Sequence, residues 1–471
     1  MTHVYQRYHA AAASMDALID MTPTPTDSSR EAVTARAAMR MQRLREFLGR
    51  IGDPHIGRPI VHVGGTSGKG STSTVITSIL TAAGYRTGLH TSPYLQTPAE
   101  KLQVGGRLIS PDAYADLVDE FMRAHDAWLA DGKDPLTYGE AFNVLMWMYF
   151  RAEDVDICVV EVGAGGRFDL TNILEPTLSV ITSVGIDHTA TLGKTIADIA
   201  WHKAGIIKPG KSAVSGVPNL EAQAIIREEA ETVGAPLLQV DLDVMIRDIQ
   251  IDANGTHWIE EPGDIQHSMR MAGSFQARNG QLAVVAARSL RDLGFSISDE
   301  AIAEGLLKAR IPGRAEIVKD VVPVVLDGAH NAEKVAAFAQ DVPQLAPIAD
   351  GGKRIVVAGL LEAKQGDEMI PSLIPVTDVL IATSPKVLAK DAMVTSEIEQ
   401  FARNAGFDGE VILEPEPLAA IQRAIELAEA GDAVVVTGSL YLVGNIRERW
   451  FPEAAILEAQ SCWPSAVTHG V

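Results

Sequence analysis

The segment from Ile60 to Ser71, IVHVGGTSGKGS, limits the fold of this chain more tightly than any other stretch. A β-branched run, Ile60 to Val63, passes into a glycine-rich turn and then into the helical spacing of Val75, Ile76, Ile79, Leu80 and Ala83. A strand that turns on glycines into a helix presents backbone N–H groups and the positive end of a helix dipole to an anion. The expected occupant is the triphosphate of ATP. The spacing is not that of the ordinary G-x-x-x-x-G-K-[ST] loop: counted back from Gly68-Lys69, the first glycine falls on Val63, and Gly70 intrudes before Ser71. Gly65, Thr66, Ser67, Gly68, Lys69, Gly70 and Ser71 are therefore the nucleotide-binding candidates. The Lys69 amine would reach β/γ-phosphate oxygens and the Ser71 hydroxyl a metal or phosphate.

Elements alternate on both sides of this loop. A helix on Val33, Ala37, Met41, Leu44 and Leu48 is expected to stop at Gly49, after a polar, proline-broken loop from Thr22 to Ser29. Thr87 to His90 reads as a strand, and Gly105-Gly106 as the turn of a hairpin. Two helices come next, one opened by Ser110-Pro111 and one holding Phe142, Leu145, Met146 and Tyr149. The apolar runs Val155 to Val162 and Leu178 to Val184 suit parallel strands buried on both faces. Helical spacing returns over Ile196 to Ile207 and Asn219 to Val233, and Asp243 to Glu260 alternates like antiparallel strands.

Near Ile311-Pro312-Gly313-Arg314 the pattern restarts, with strands expected over Val321 to Leu326, Arg354 to Ala358, Val379 to Thr383 and Ala433 to Thr437. A chain of 471 residues exceeds one ordinary core. The expected fold is α/β: a P-loop ATPase-like domain with a mainly parallel sheet over residues 1–311, and a smaller Rossmann-like α/β domain over residues 312–471.

A formal charge of −21 argues against nucleic acid or an acidic membrane as partner. Two cysteines, Cys158 and Cys462, give no disulfide framework or cysteine-rich metal site. With no secretory leader pattern and no apolar run near the roughly 20 residues that span a bilayer, a soluble cytoplasmic protein is expected. No long apolar surface helix stands out, which favours a monomer.

Polar groups gather at strand ends, where open α/β sheets bind ligands. Glu161 ends a buried strand, so its carboxylate needs either Mg2+ or a salt bridge to Arg167 or a lysine. His188 comes directly after Asp187 at the end of the next run; by itself it is more often a simple hydrogen-bonding loop residue, and the convergence of two strand ends on the phosphate loop is what makes it a candidate. Lys203, among Ala200, Ala204, Gly205 and Ile206, is either an exposed helical lysine or a buried amine of lowered pKa able to attack CO2. Asp327, His330 and Asn331 lie just past one strand and Thr437-Gly438-Ser439 at the end of another; they are a small-ligand site or turn and cap residues.

Nine segments together, GTSGKGS (65 to 71), TSPYL (91 to 95), TYGE (137 to 140), EVGAGGRFDLTN (161 to 172), GIDHTATLG (185 to 193), KAGIIKPG (203 to 210), PGRAE (312 to 316), DGAHN (327 to 331) and TGSLYLVG (437 to 444), resemble the folylpolyglutamate synthase/dihydrofolate synthase family of Mur-type ligases. The resemblance implies that ATP phosphorylates a folate carboxylate and that the amino group of L-glutamate displaces the phosphate. Dihydropteroate is implied as a further acceptor beside reduced folates. Position by position, it implies Lys69 and Ser71 as phosphate contacts and Ser92, Glu161 and His188 as Mg2+ ligands. It implies Lys203 as a carbamylated lysine holding a second Mg2+, with K+ as an accessory cation. Asn279 and Arg314 resemble nucleotide contacts, with Asp327 on the ribose side. His330 and Ser439 match glutamate-binding positions, and Asp169 matches a residue of the folate pocket.

The chain departs from the family pattern at three places. Ser67 replaces the usual asparagine of the loop, Phe275 replaces a histidine before Gln276, and Leu360 to Glu368, LLEAKQGDE, lacks the usual DKD. Two other functions compete: a Mur-type ligase for another carboxylate, such as a muramyl peptide, and a nucleotide-binding regulator without ligation. Retention of Lys69, Glu161, His188 and Lys203 together argues against the regulator.

Overall fold

The computed structural model describes residues 3–20, 30–252, 254–388 and 390–464; the expected loop from Thr22 to Ser29 lies outside them. Eight strands form the first sheet: β1 (Ile60–Gly64), β2 (Thr87–His90), β3 (Gln103–Val104), β4 (Arg107–Leu108), β5 (Ile157–Glu161), β6 (Leu178–Ile181), β7 (Ser212–Ser215) and β8 (Leu237–Gln239). Their order is β4-β3-β2-β5-β1-β6-β7-β8. All pairs from β2 to β8 are parallel, and the Gly105-Gly106 hairpin adds β3 and β4 antiparallel at one edge. Every residue of β1, β5 and β6 is buried, as their apolar runs require. Val63 of β1 pairs with Glu161 of β5, and Gly64 with Ile181 of β6. The three strands therefore end at one level, and the loops that leave them share one crevice.

Strands β9 (Ile246–Asp252), β10 (Gly255–Glu260) and β11 (Ile265–Met269) form an antiparallel meander. A second sheet is built from β12 (Glu316–Lys319), β13 (Pro323–Leu326), β14 (Arg354–Ala358), β15 (Val379–Ala382), β16 (Glu410–Leu413) and β17 (Ala433–Thr437), in the order β12-β13-β17-β14-β15-β16. It is parallel except for β12. Asp327 and Ser439 lie just beyond neighbouring strands, since Leu326 pairs with Val436.

One local expectation needs correction, and one helix was not foreseen. The helix expected to stop at Gly49 runs Arg30–Arg50, and the chain turns instead at Gly52, whose φ is +82°. Leu44, Phe47 and Leu48 are fully buried, and that packing outweighs the roughly 1 kcal/mol a helical glycine costs. A helix over His3–Asp20, not anticipated, lies against the helix Pro111–Ala130 and is pinned by Tyr8, whose hydroxyl is 2.6 Å from Thr97 Oγ1.

Residues 456–462 return to the elements around the first sheet. Ile456, Leu457 and Cys462 join the hydrophobic cluster of Phe142 and Trp147. Arg447, fully buried, donates to both Glu316 oxygens at 2.9 Å, to Gln96 Oε1 at 2.5 Å and to the Cys462 carbonyl at 2.6 Å. Replacing Arg447 with methionine would leave the buried Glu316 carboxylate without its cation, held among the described residues only by the Gly313 N–H and the Trp463 indole N–H. The expected loss is on the order of 3–5 kcal/mol, read as a lower urea midpoint at unchanged m-value; an unmoved midpoint would show that the network carries no stability.

Candidate active site

The loop after β1 is held in place from β6. Thr66 N–H donates to the Ser183 carbonyl at 2.9 Å, Ser67 N–H to Ser183 Oγ at 2.9 Å, and Thr182 Oγ1 to the Ser67 carbonyl at 2.6 Å. Gly68 then adopts φ +83° and the helix Lys69–Ala82 begins, leaving its first amides without intrahelical partners. The Lys69 ammonium folds back onto the Gly65 carbonyl at 3.1 Å.

These amides open into a cavity of about 560 Å3. Thr66 through Ser71 line it together with Ser92, Glu161, His188, Asn279, Arg314, Asp327 and His330. The last three come from the second sheet or its approach, so both sheets form the walls. Gly65, Lys203, Asp169 and Ser439 are not among the lining residues.

Glu161 is buried, and its Oε2 accepts the Ser92 N–H at 2.9 Å. Burial pushes its carboxyl pKa up, while Lys69 and that hydrogen bond oppose the shift. Arg167 does not relieve it, because it pairs with Glu229 at 2.6 Å. A buried carboxylate beside a serine in a phosphate-binding crevice fits a hard cation. Among the described residues no group of three or more His, Cys, Asp or Glu forms a metal cluster. A divalent ion here would share its coordination with phosphate oxygens and water, as Mg2+ does.

His188 sits in the left-handed region at φ +52°, costly for a residue with a Cβ. Its N–H is fixed by Asp187 Oδ1 at 2.9 Å. Burial lowers its imidazole pKa, Asp187 opposes, and Lys69, Lys364 and Lys203 add to the lowering. Lys203 is 2% exposed, which removes the exposed-lysine alternative. Its helix, Ile196–Ala204, lies so close to the loop after β5 that a Cβ on Gly166 would stand 2.5 Å from the His202 carbonyl. Burial draws the Lys203 pKa down to about 7, with Lys69 adding and Asp187 opposing.

Asp327 is also buried, and its oxygens accept the N–H groups of Ala315 and Ala329 at 2.8 Å. Ser439 caps the helix Leu440–Arg447 through Tyr441 N–H at 3.2 Å. Asp169 accepts from Thr171 N–H, Thr171 Oγ1 and Ala164 N–H at 2.9, 2.6 and 2.9 Å, and so staples the loop beyond β5. Two lysines at the site have no counterpart among the candidates named from sequence. Lys334 lines the cavity 3.2 Å from His330 Nε2, and Lys364, from the segment lacking DKD, acts electrostatically on Asp187, His188, His330 and Lys334. The i,i+4 spacing of His330 and Lys334 across a helix start is the available signal for the first.

The profile of the Mur ligase middle domain matches residues 63–287, and that of the Mur ligase glutamate ligase domain matches residues 313–440. A Bacillus subtilis dihydrofolate synthase/folylpolyglutamate synthase is 36% identical over 423 residues, covering 86% of this chain and 94% of that protein. The chain belongs to the folylpolyglutamate synthase/dihydrofolate synthase family of Mur ligases. A crystal structure of the Mycobacterium tuberculosis folylpolyglutamate synthase with ADP and AMPPCP superposes with a TM-score of 0.81 at 26% identity, covering 94% of this chain and 98% of that one. A bifunctional folylpolyglutamate synthase/dihydrofolate synthase with Mn, AMPPNP and L-glutamate bound superposes with a TM-score of 0.71 at 27% identity, covering 87% and 93%.

Within this folylpolyglutamate synthase family fold, the serine at position 67 is accommodated because the loop is held through the Ser67 backbone, N–H and C=O alike. Gly68 is less replaceable: a Cβ there would stand 2.3 Å from Asn279 Oδ1, on a backbone that L side chains rarely adopt. Gly68→Ala should weaken ADP binding by about fivefold or more in calorimetry, from strain of order 1–3 kcal/mol. Unchanged affinity would show that the loop does not cradle the phosphates.

Proposed function

We propose that this chain joins L-glutamate to folates at the cost of ATP, and that dihydropteroate is an acceptor as well. The observation that carries this is the cavity in which the phosphate loop and Glu161 face Asp327, His330 and Lys334 of the second sheet. Residues 1–311 would hold the phosphates of ATP and the folate, and residues 312–471 would bring glutamate and complete the nucleotide site through Arg314 and Asp327. The folate carboxylate oxygen attacks the γ-phosphorus, the bond to the β,γ-bridging oxygen breaks, and ADP leaves. The glutamate amine attacks the acyl carbon, a tetrahedral intermediate collapses to the amide, and phosphate departs as the amine loses a proton.

Gly65 to Ser71, Lys69 among them, would hold the phosphates, with Asn279 and Arg314 on the nucleotide and Asp327 on its ribose side. Ser92, Glu161 and His188 would supply the protein donors for one Mg2+, and a carbamate on Lys203 would hold a second; K+ is the accessory cation of this scheme. Bound Mg2+ would offset charge on the phosphoryl oxygens. His330 and Ser439 mark the glutamate side and Asp169 supports the folate side. The protein acts as a cytoplasmic monomer, and no described helix is long and apolar enough to cross a membrane.

ADP release from MgATP should require both a folate and L-glutamate; release indifferent to glutamate would overturn the ligase assignment. Carbamylation converts the neutral Lys203 amine and CO2 into a carbamate and a proton. With a pKa of about 7, the amine loses its proton across neutrality. The 13C signal of labelled carbamate should therefore grow from about pH 6 to about pH 8. Lys203→Ala should lose most activity yet bind ATP, with partial rescue by small carboxylic acids; full activity of this variant, or of enzyme stripped of CO2, would refute the role.

A further inference from the structure

The wall of the cavity contributed by the second sheet holds a pair whose protons can be assigned. His330 Nδ1 lies 2.8 Å from the Gly328 carbonyl, which can only accept, so the Nδ1 carries the ring proton. Burial and the nearby Lys334 and Arg314 keep this imidazole neutral, with a pKa of about 3. Nε2 is then a lone-pair acceptor, and the Lys334 ammonium, 3.2 Å away, is its donor. A neutral ring arranged in this way offers no N–H to an anion.

Lys334 is placed to do what His330 does not. It lines the cavity, its backbone N–H is fixed by the Asn331 side chain at 2.9 Å, and it forms no salt bridge among the described residues. One of its three N–H donors is directed to His330, leaving two for a ligand. Arg314, Lys69 and Lys364 add positive charge around it, and Asp187 is the opposing carboxylate. Such crowding of like charges in a half-buried wall calls for anions. In the proposed reaction the acceptor carboxylate meets the γ-phosphate at the loop after β1, whereas Lys334 belongs to the part of the chain that matches the glutamate ligase domain, so the anion assigned to it is the amino acid.

We propose that Lys334, oriented by His330, is the group that receives a carboxylate of the incoming L-glutamate, with His330 acting as its positioning residue. This rests on the ligase function proposed above.

Steady-state assays of the full chain with MgATP, a folate acceptor and varied L-glutamate test it. Lys334→Met should raise the glutamate KM about 30-fold, as expected for a lost charge-assisted hydrogen bond, while kcat and the ATP KM stay within about threefold. His330→Gln, which keeps an acceptor for Lys334, should be milder than His330→Leu. His330→Leu should add little to Lys334→Met, because both act on one contact. An unchanged glutamate KM in Lys334→Met, or an ATP KM raised equally, would overturn the assignment. If methionine disturbs folding, seen as a lower thermal midpoint, Lys334→Gln carries the same expectation. Absence of glutamate-dependent ADP release in the unaltered chain would instead overturn the ligase function itself.

Discussion

A carboxylate buried at the end of a strand sets much of the architecture around it. Glu161 lies beside the strand that feeds the phosphate loop, and burial penalises its charge. Lys69 and the Ser92 N–H compensate in part. Because β1 sits between β5 and β6, the same level of the sheet delivers Glu161, the loop and Ser183 to one place. Phosphates and a cation entering together would offset the charge balance that burial of Glu161 disturbs.

The second sheet meets this crevice with its own strand ends, and the junction between sheets is covalently remote but physically tight. Arg447 at the end of one helix joins Glu316, 131 residues away, and Gln96, 351 residues away. Gln96 stands immediately after the TSPYL segment that carries Ser92. Ser439 caps the other end of the same helix. The helix thus connects Ser439, on the proposed glutamate side, to the segment that carries Ser92, a proposed metal ligand.

Much of this was legible in the sequence where the signal is local. A β-branched run, glycines and a helical period suffice to mark the loop after β1, and apolar runs ending in Glu161 and Asp327 mark buried strands with functional ends. The Gly105-Gly106 hairpin was readable for the same reason. Contacts between distant segments were not: the Arg447 network, the helix of residues 3–20 with its alanine-rich face, and Lys334 depend on what packs against them. Proximity in a motif also misleads about exposure. Asp169 and Ser439 have side chains engaged with neighbouring backbone and do not line the cavity, and Lys203 is buried without lining it.

The central claim is that the γ-phosphoryl group passes to a carboxylate before the amide forms. Oxygen-18 placed in the acceptor's carboxylate tests it most directly. In the proposed sequence one labelled oxygen moves into inorganic phosphate for each amide made, because the carboxylate oxygen that attacked phosphorus leaves with it. Phosphate released without the label, at a rate matching amide formation, would contradict the account.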